Sequence, residues 1–156
     1  MKFSDYILLD AIALDVKATD IEGVIREIVQ PLLDAGGVEK DEYEKIIKSF
    51  LFREELGSTD QGGGVAVPHT THPGVNRSIG TVAVSTDGID FGYSPDGEKV
   101  YVFFPILAPR DIPGDFLRVV EHLTRRLKDD DTIVETLKQC KTREDVFALL
   151  EVADSK

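Results

Sequence analysis

Apolar positions recur at helical spacing in two blocks of the chain, and at strand-like spacing before the first block and between the two. Residues 12–16, IALDV, alternate apolar and polar, which predicts a short strand with Ile12, Leu14 and Val16 on one face. Ile21, Val24, Ile25, Ile28, Leu32 and Leu33 then form a helical stripe. Thr19 followed by Glu22 predicts a capping box at its start, and Gly36-Gly37 predicts its end. Pro31 removes one helical N–H and is expected to bend the last turn. A second helix is predicted over residues 41–55. It buries Tyr43, Ile46, Ile47, Phe50 and Leu51 and leaves Glu42, Glu44, Lys45 and Lys48 in solvent.

The middle of the chain has a different texture. Residues 57–64, GSTDQGGG, read as a turn that leads into the apolar run Val65-Ala66-Val67. After Pro68-His69, TTHPGVNR reads as a second loop, and 79–86 as one buried strand. Asp87-Gly88 turns the chain into a brief extension over 89–91, and Ser94-Pro95-Asp96-Gly97 is a turn of the x-P-D-G type. Residues 100–106 form the most apolar strand, with Pro105 expected at its end or edge, where a missing donor does least damage. Helices return after that. Phe116, Leu117, Val120, Leu123 and Leu127 mark one over 115–127, a short one covers 132–139, and Thr142 with Asp145 caps a last one through Leu150. The order is a strand, two helices, several strands, then three helices. It predicts one α/β domain over 1–156, with its core at about 3–150 and helices on both sheet faces.

Composition narrows what such a domain binds. With 29 acidic against 18 basic residues among 156, the formal charge is 18 − 29 = −11. That argues against sequence-independent binding to nucleic acid or to an anionic membrane, since both need a positive surface. A small anion is still compatible, because local cations and backbone N–H groups outweigh a distant net charge. The single cysteine, Cys140, excludes an intrachain disulfide and any multi-cysteine metal site. Ser4, Asp5 and Asp10 fall too early for a signal peptide's apolar stretch, and no apolar run approaches the ~18 residues of a membrane span. The expectation is a cytoplasmic protein without membrane insertion.

The densest cluster of reactive residue types is FREELGSTDQGGGVAVPHTTHPG, residues 52–74. Taken singly, each member has an ordinary reading: a glycine run as a turn, a strand-end histidine as a packed side chain, Arg53 as a helix C-terminal cation. Together they suit a labile phosphoryl group. Glycines let backbone amides approach an anion closely, although GGG lacks the Gly-Lys-Ser/Thr ending of a Walker loop. Near pH 7 a histidine ring nitrogen is often free to attack phosphorus. Arg53, Thr59 and the loop amides are donors of the right type to steady the transferred charge.

FREELGSTDQGGGVAVPH resembles the active-site region of the fructose/mannitol-type enzyme IIA domains of the bacterial phosphotransferase system. Their pattern runs roughly R-E-x-x-G-S-T-G-I-G-x-G-V-A-I-P-H, and Arg53, Glu54, Gly57, Ser58, Thr59, Gly62, Gly64, Ala66, Pro68 and His69 fall in register with it. The similarity extends over about residues 3–150, and the opening FSDYILLDAIALDVKATD is most similar to the nitrogen-regulatory branch. The resemblance implies a mixed sheet between helical layers and no cofactor. It implies that His69 accepts the phosphoryl group, with Nε2 attacking, and that Arg53 lies beside it. It also implies that Ser58, Thr59, Gly62 and Gly64 shape the phosphate pocket. The implied donor is a histidine-containing phosphocarrier protein, and the implied target is a IIB domain or a regulated transporter or kinase.

Three departures from the family pattern stand out. Asp60-Gln61 replaces Gly-Ile, so an extra carboxylate enters the loop, expected to point outward or to hydrogen-bond the loop. Phe116 occupies the place of a second active-site histidine, and His122, six residues further along the helix, points 120° away from that face. His72 is the third novelty. His69 and His72 have the spacing H-T-T-H rather than the i, i+4 of a helical metal site, and no third ligand is evident. The leading expectation is a stoichiometric phosphoryl relay with apolar rim residues Val75, Ile112 and Phe116. The alternative is a regulatory protein-binding module that Phe116 leaves unphosphorylated or weakly phosphorylated. A metal-dependent hydrolase using His69 and His72 is the outsider.

Overall fold

Residues 1–155 are described in the structure, a computed structural model, and Lys156 lies outside them. The chain forms helices α1 (Ile21–Ala35) and α2 (Tyr43–Leu56), then strands β1 (Asp60–Gly62), β2 (Val65–Ala66), β3 (His69–His72), β4 (Ile79–Gly80), β5 (Ala83–Ile89), β6 (Val100–Phe103) and β7 (Ile106–Pro109). Helices α3 (Pro113–Asp129), α4 (Ile133–Lys138) and α5 (Arg143–Asp154) complete it.

The strands make two small mixed sheets rather than one. The first has the order β1-β2-β6-β5 and the second β3-β7-β4. β2 pairs with β6, and β3 with β7, in parallel, so two strand runs cross the molecule side by side. Each run changes sheet at a proline. Phe104 N–H donates to Ala66 O (3.0 Å) and Ile106 N–H to Pro68 O (2.9 Å), so Pro68 and Pro105 flank one crossover. The predicted strand over 100–106 is therefore two strands, because Pro105 has no N–H to carry a ladder through. The predicted strand over 79–86 is likewise split between the sheets, as β4 and β5.

Parity explains the apolar content of these runs. Val102, Phe104 and Ile106 enter one hydrophobic core, while Phe103 and Leu107 enter the other. Both sheet faces are covered, so a continuous apolar run is what a strand there requires. The first core is closed by α1 and α2, whose buried residues are Val24, Ile25, Ile28, Val29, Leu32 and Leu33, and Ile46, Ile47 and Phe50. The second core is closed by α3, α4, α5 and the N-terminal segment, through Val119, Leu123, Ile133, Leu137, Val146, Leu150, Phe3, Tyr6 and Ile7.

Other expectations shift in detail. IALDV makes only an isolated bridge between Ala13 and Ala83, after a 3-10 turn at Leu9–Ala11. Asp20, not Thr19, caps α1: its Oδ1 accepts the Gly23 N–H at 2.7 Å, and Glu22 instead pairs with Arg26. The capping box of Thr142 and Asp145 on α5 forms as read. TTHPGVNR is only partly a loop, because His69–His72 is β3. Its hydrogen-bonding partner β7 lies far along the chain, beyond the reach of any local pattern. Among the described residues no helix is long and apolar enough to cross a membrane.

Candidate functional site

His69 is the first residue of β3, directly after the crossover proline. Its Nδ1 donates to Val67 O at 2.7 Å, which leaves Nε2 as the unprotonated nitrogen of the neutral ring. The ring of Phe116, on the first turn of α3, lies against it with centroids 5.3 Å apart. Burial pushes the His69 pKa down. The Val67 hydrogen bond opposes that shift and the Arg53 charge adds to it. The outcome is a neutral imidazole at pH 7 with one nitrogen held and the other available.

Arg53 comes from the last turn of α2 and donates from Nη1 to Gly57 O at 2.6 Å. That bond fixes the guanidinium where the helix ends, close enough for its charge to bear on His69. Strand alternation aims the neighbouring side chains elsewhere. Thr70 and His72, of opposite parity to His69, face α2: Thr70 Oγ1 meets Ser49 Oγ at 2.6 Å, and His72 Nε2 lies 3.4 Å from Glu42 Oε2. The two histidines therefore lie on opposite faces of one strand. Among the described residues no three His, Cys, Asp or Glu side chains converge on a point fit for a metal ion. His69 and His72 thus do not converge on a common point.

The loop residues divide. Thr59 is 1% exposed, and both its donors are committed: its N–H to Glu54 Oε2 at 3.1 Å and its hydroxyl to Glu54 Oε1. It shapes the loop and has no proton left for an anion. Ser58 Oγ accepts the Asp60 N–H (3.1 Å) and keeps its own hydrogen to donate. The Gly62 and Gly63 amides are already committed to carboxylates. Asp60 Oδ1 takes the Gly62 N–H (2.9 Å), and Asp96 Oδ2 takes the Gly63 N–H (2.7 Å). Gly62 and Gly63 line a cavity of about 260 Å³ with Leu127, Ile133 and Val134. Leu127 is eleven residues along α3 from Phe116, or about 16 Å at 1.5 Å per residue. The hairpin tip thus sits at one end of α3 and His69 at the other.

Gly62, Gly63 and Gly64 each adopt a positive φ, between 65° and 84°, which explains the run without any ligand. Asp60 is turned into the hairpin. Burial and the nearby Asp96 raise its pKa, against the lowering effect of the Gly62 N–H.

Sequence reasoning assigned no role to Glu54, although it falls in register with the family pattern beside Arg53, nor to Ser49, which shares a helix face with Arg53. It also undervalued His122. That ring is 9% exposed, with Nδ1 2.8 Å from Tyr6 Oη and Nε2 3.1 Å from Asp154 Oδ1. Asp154 in turn accepts the Phe3 N–H at 2.6 Å, so His122 fastens α3 to both terminal segments. No local signal revealed this, because its partners lie at the two ends of the chain.

These features define an α/β protein that presents one neutral, oriented histidine at a strand end beside an arginine. Residues 6–152 match the family described as phosphoenolpyruvate-dependent sugar phosphotransferase system, EIIA 2, and the chain belongs to that family. It is 28% identical over 150 residues to a nitrogen regulatory protein of Bradyrhizobium diazoefficiens, covering 96% of this chain and 95% of that one. Its fold is similar to the nitrogen regulatory protein IIA-Ntr of Neisseria meningitidis, with a TM-score of 0.83 and 28% identity over 95% of this chain and 98% of the other. It is also similar to the mannitol enzyme IIA of Escherichia coli, solved in complex with phosphorylated mannitol enzyme IIB. There the TM-score is 0.75 and the identity 27%, over 92% of this chain and 95% of the other.

Proposed function

We propose that the chain acts as one phosphoryl-carrier domain, in which His69 Nε2 accepts a phosphoryl group from a phosphohistidine on a small carrier protein. The observation that carries this reading is the Nδ1 hydrogen bond to Val67 O, which leaves Nε2 nucleophilic. In the transfer the donor's P–N bond breaks as the Nε2–P bond forms, and the electron pair returns to the donor ring. His69 keeps its Nδ1 proton, and the Val67 carbonyl steadies the positive character the ring acquires. In this reading Arg53 and the Ser58 hydroxyl donate to the phosphoryl oxygens.

The exposed apolar residues Ile112, at the N-cap of α3, and Leu117, next to Phe116, supply a rim on which a partner docks. The similar mannitol protein is known with a phosphorylated IIB, so a IIB domain is one target class for this chain. A regulated transporter or kinase is the other, with phosphorylation as the switch. A cytoplasmic location follows from that role.

The test is to incubate the protein with phosphoenolpyruvate, enzyme I and the histidine-containing carrier from one host, and to assay acid-labile phosphate. Label on wild type that is absent in His69→Ala supports the relay. Label that persists in His69→Ala overturns the site. A wild type that takes up no label, yet binds its target, places the protein-binding reading in front. Phe116 is the observation that favours that second reading, since its ring offers no donor to a phosphoryl group.

A further inference from the structure

The hairpin of β1 and β2 leaves one of its hydrogen bonds unmade, and the omission lies next to His69. Asp60 pairs with Ala66, so the next antiparallel pair is Thr59 with Val67. A hydrogen-bonded pair in such a ladder exchanges two bonds. One is present: Val67 N–H donates to Thr59 O at 3.0 Å. The reciprocal bond, Thr59 N–H to Val67 O, is replaced. Thr59 N–H goes to Glu54 Oε2 at 3.1 Å, and Val67 O receives His69 Nδ1 at 2.7 Å. Glu54 and His69 thus share out what the hairpin would otherwise close on itself.

We infer that Glu54 is a positioning residue for His69: by capturing both donors of Thr59 it keeps the Val67 carbonyl free to hold Nδ1–H, and so sets which ring nitrogen accepts phosphorus. The role rests on the phosphoryl-acceptor reading of His69, but the hydrogen-bond exchange itself does not. A half-buried carboxylate is a costly way to cap one loop. Burial pushes the Glu54 pKa up, against the Thr59 bonds and the Arg53 charge that pull it down. A side chain that only filled space would need no charge. Arg53 and Glu54 are consecutive, and each fastens part of the loop that follows α2: Arg53 holds Gly57 O, and Glu54 holds Thr59. With Glu54 truncated, Thr59 N–H turns to its ladder partner, the Val67 carbonyl, and by sharing that oxygen weakens its bond to Nδ1–H. The imidazole then loses its preference between tautomers, and part of the population presents Nε2–H, which cannot attack.

The experiment is ¹⁵N NMR of the His69 ring above its pKa, alongside the rate of phosphate uptake. Wild type should show protonated Nδ1 and unprotonated Nε2. Glu54→Ala should give averaged nitrogen shifts and an uptake rate lower by about tenfold to a hundredfold, with the donor KM unchanged. Thr59→Ser keeps both donors and should behave as wild type. Glu54→Gln keeps one acceptor and should fall between the two, which preserves the test if Glu54→Ala unfolds. A wild-type tautomer in both Glu54 variants overturns the inference, and so does a slower uptake without a tautomer change. If wild type takes up no phosphate while the tautomer still follows Glu54, the acceptor reading fails and the positioning role stands.

Discussion

The ring of Phe116 packs on the imidazole of His69, with planes 40° apart and centroids 5.3 Å from each other. An aromatic ring in that place shields the imidazole from water and offers no hydrogen bond to a bound phosphoryl group. Shielding and donation therefore come apart in this site, and substitutions separate them. Phe116→Ala should let water in and raise the His69 pKa toward ~6.5, because burial is the largest cause of its depression. A pH titration of the ring by NMR reads the shift. Phe116→His restores a donor and should speed phosphate uptake, measured as the initial rate of acid-labile label.

Arg53 has two tasks that different substitutions split. Arg53→Gln removes the charge that lowers the His69 pKa and that would meet the phosphoryl oxygens. The ring pKa should rise, and uptake should fall by about 10²–10³-fold, as for loss of a preorganised transition-state donor. Arg53→Lys keeps the charge but loses the Nη1 donor that holds Gly57 O, so it should fall between wild type and Arg53→Gln. Equal rates for all three proteins would remove Arg53 from the site.

His122 should make stability depend on pH. Burial holds its folded pKa below the unfolded ~6.5, against the pull of Asp154. The folded state then binds fewer protons than the unfolded one, so stability rises with pH. Its contribution is complete above the unfolded pKa and fades as pH falls toward the folded one. Thermal midpoints at pH 8, 6.5 and 5 should drop for wild type. The drop should be smaller for His122→Asn, which no longer titrates. The raised carboxyls of Glu54 and Asp60 act in the opposite sense, but they are common to both proteins and cancel in the comparison. At pH 8 the variant should lose about 1–3 kcal/mol, because the buried Tyr6 hydroxyl is stranded.

The glycines of the hairpin should differ in tolerance. Gly64 has φ +84°, and a Cβ there would lie 3.3 Å from Tyr101 and 3.5 Å from Val134. Gly64→Ala should cost about 1–2 kcal/mol from the backbone conformation alone, with the crowding in addition. Gly63 has φ +65° and open space around it, so Gly63→Asn, a residue that tolerates this region, should cost less. Denaturant midpoints rank the two. Phosphate uptake by the folded fraction should be unchanged in both, because the hairpin tip is remote from His69. A Gly64→Ala protein with normal stability and slow uptake would put the glycines back in the phosphate pocket.

Local patterning determined the helices, the place of Pro105 at a strand end and the cap at Thr142, because each depends on residues within a few positions of one another. It also marked His69 and Arg53, through the residue types that phosphoryl chemistry needs and the family pattern they share. What the local pattern could not hold was pairing. H-T-T-H becomes a strand only because β7 supplies its hydrogen bonds, and the two prolines split the sheet only because their strands run side by side. The same holds within the site. Chain order put the glycines next to His69, yet the Gly62 and Gly63 amides are taken by Asp60 and Asp96 at the far end of α3. The orientation of the imidazole is likewise a matter of which donor reaches the Val67 carbonyl. Hydrogen-bond donors and acceptors are distributed by distance in space, and only the folded chain brings Glu54, Thr59, Val67 and His69 within that distance.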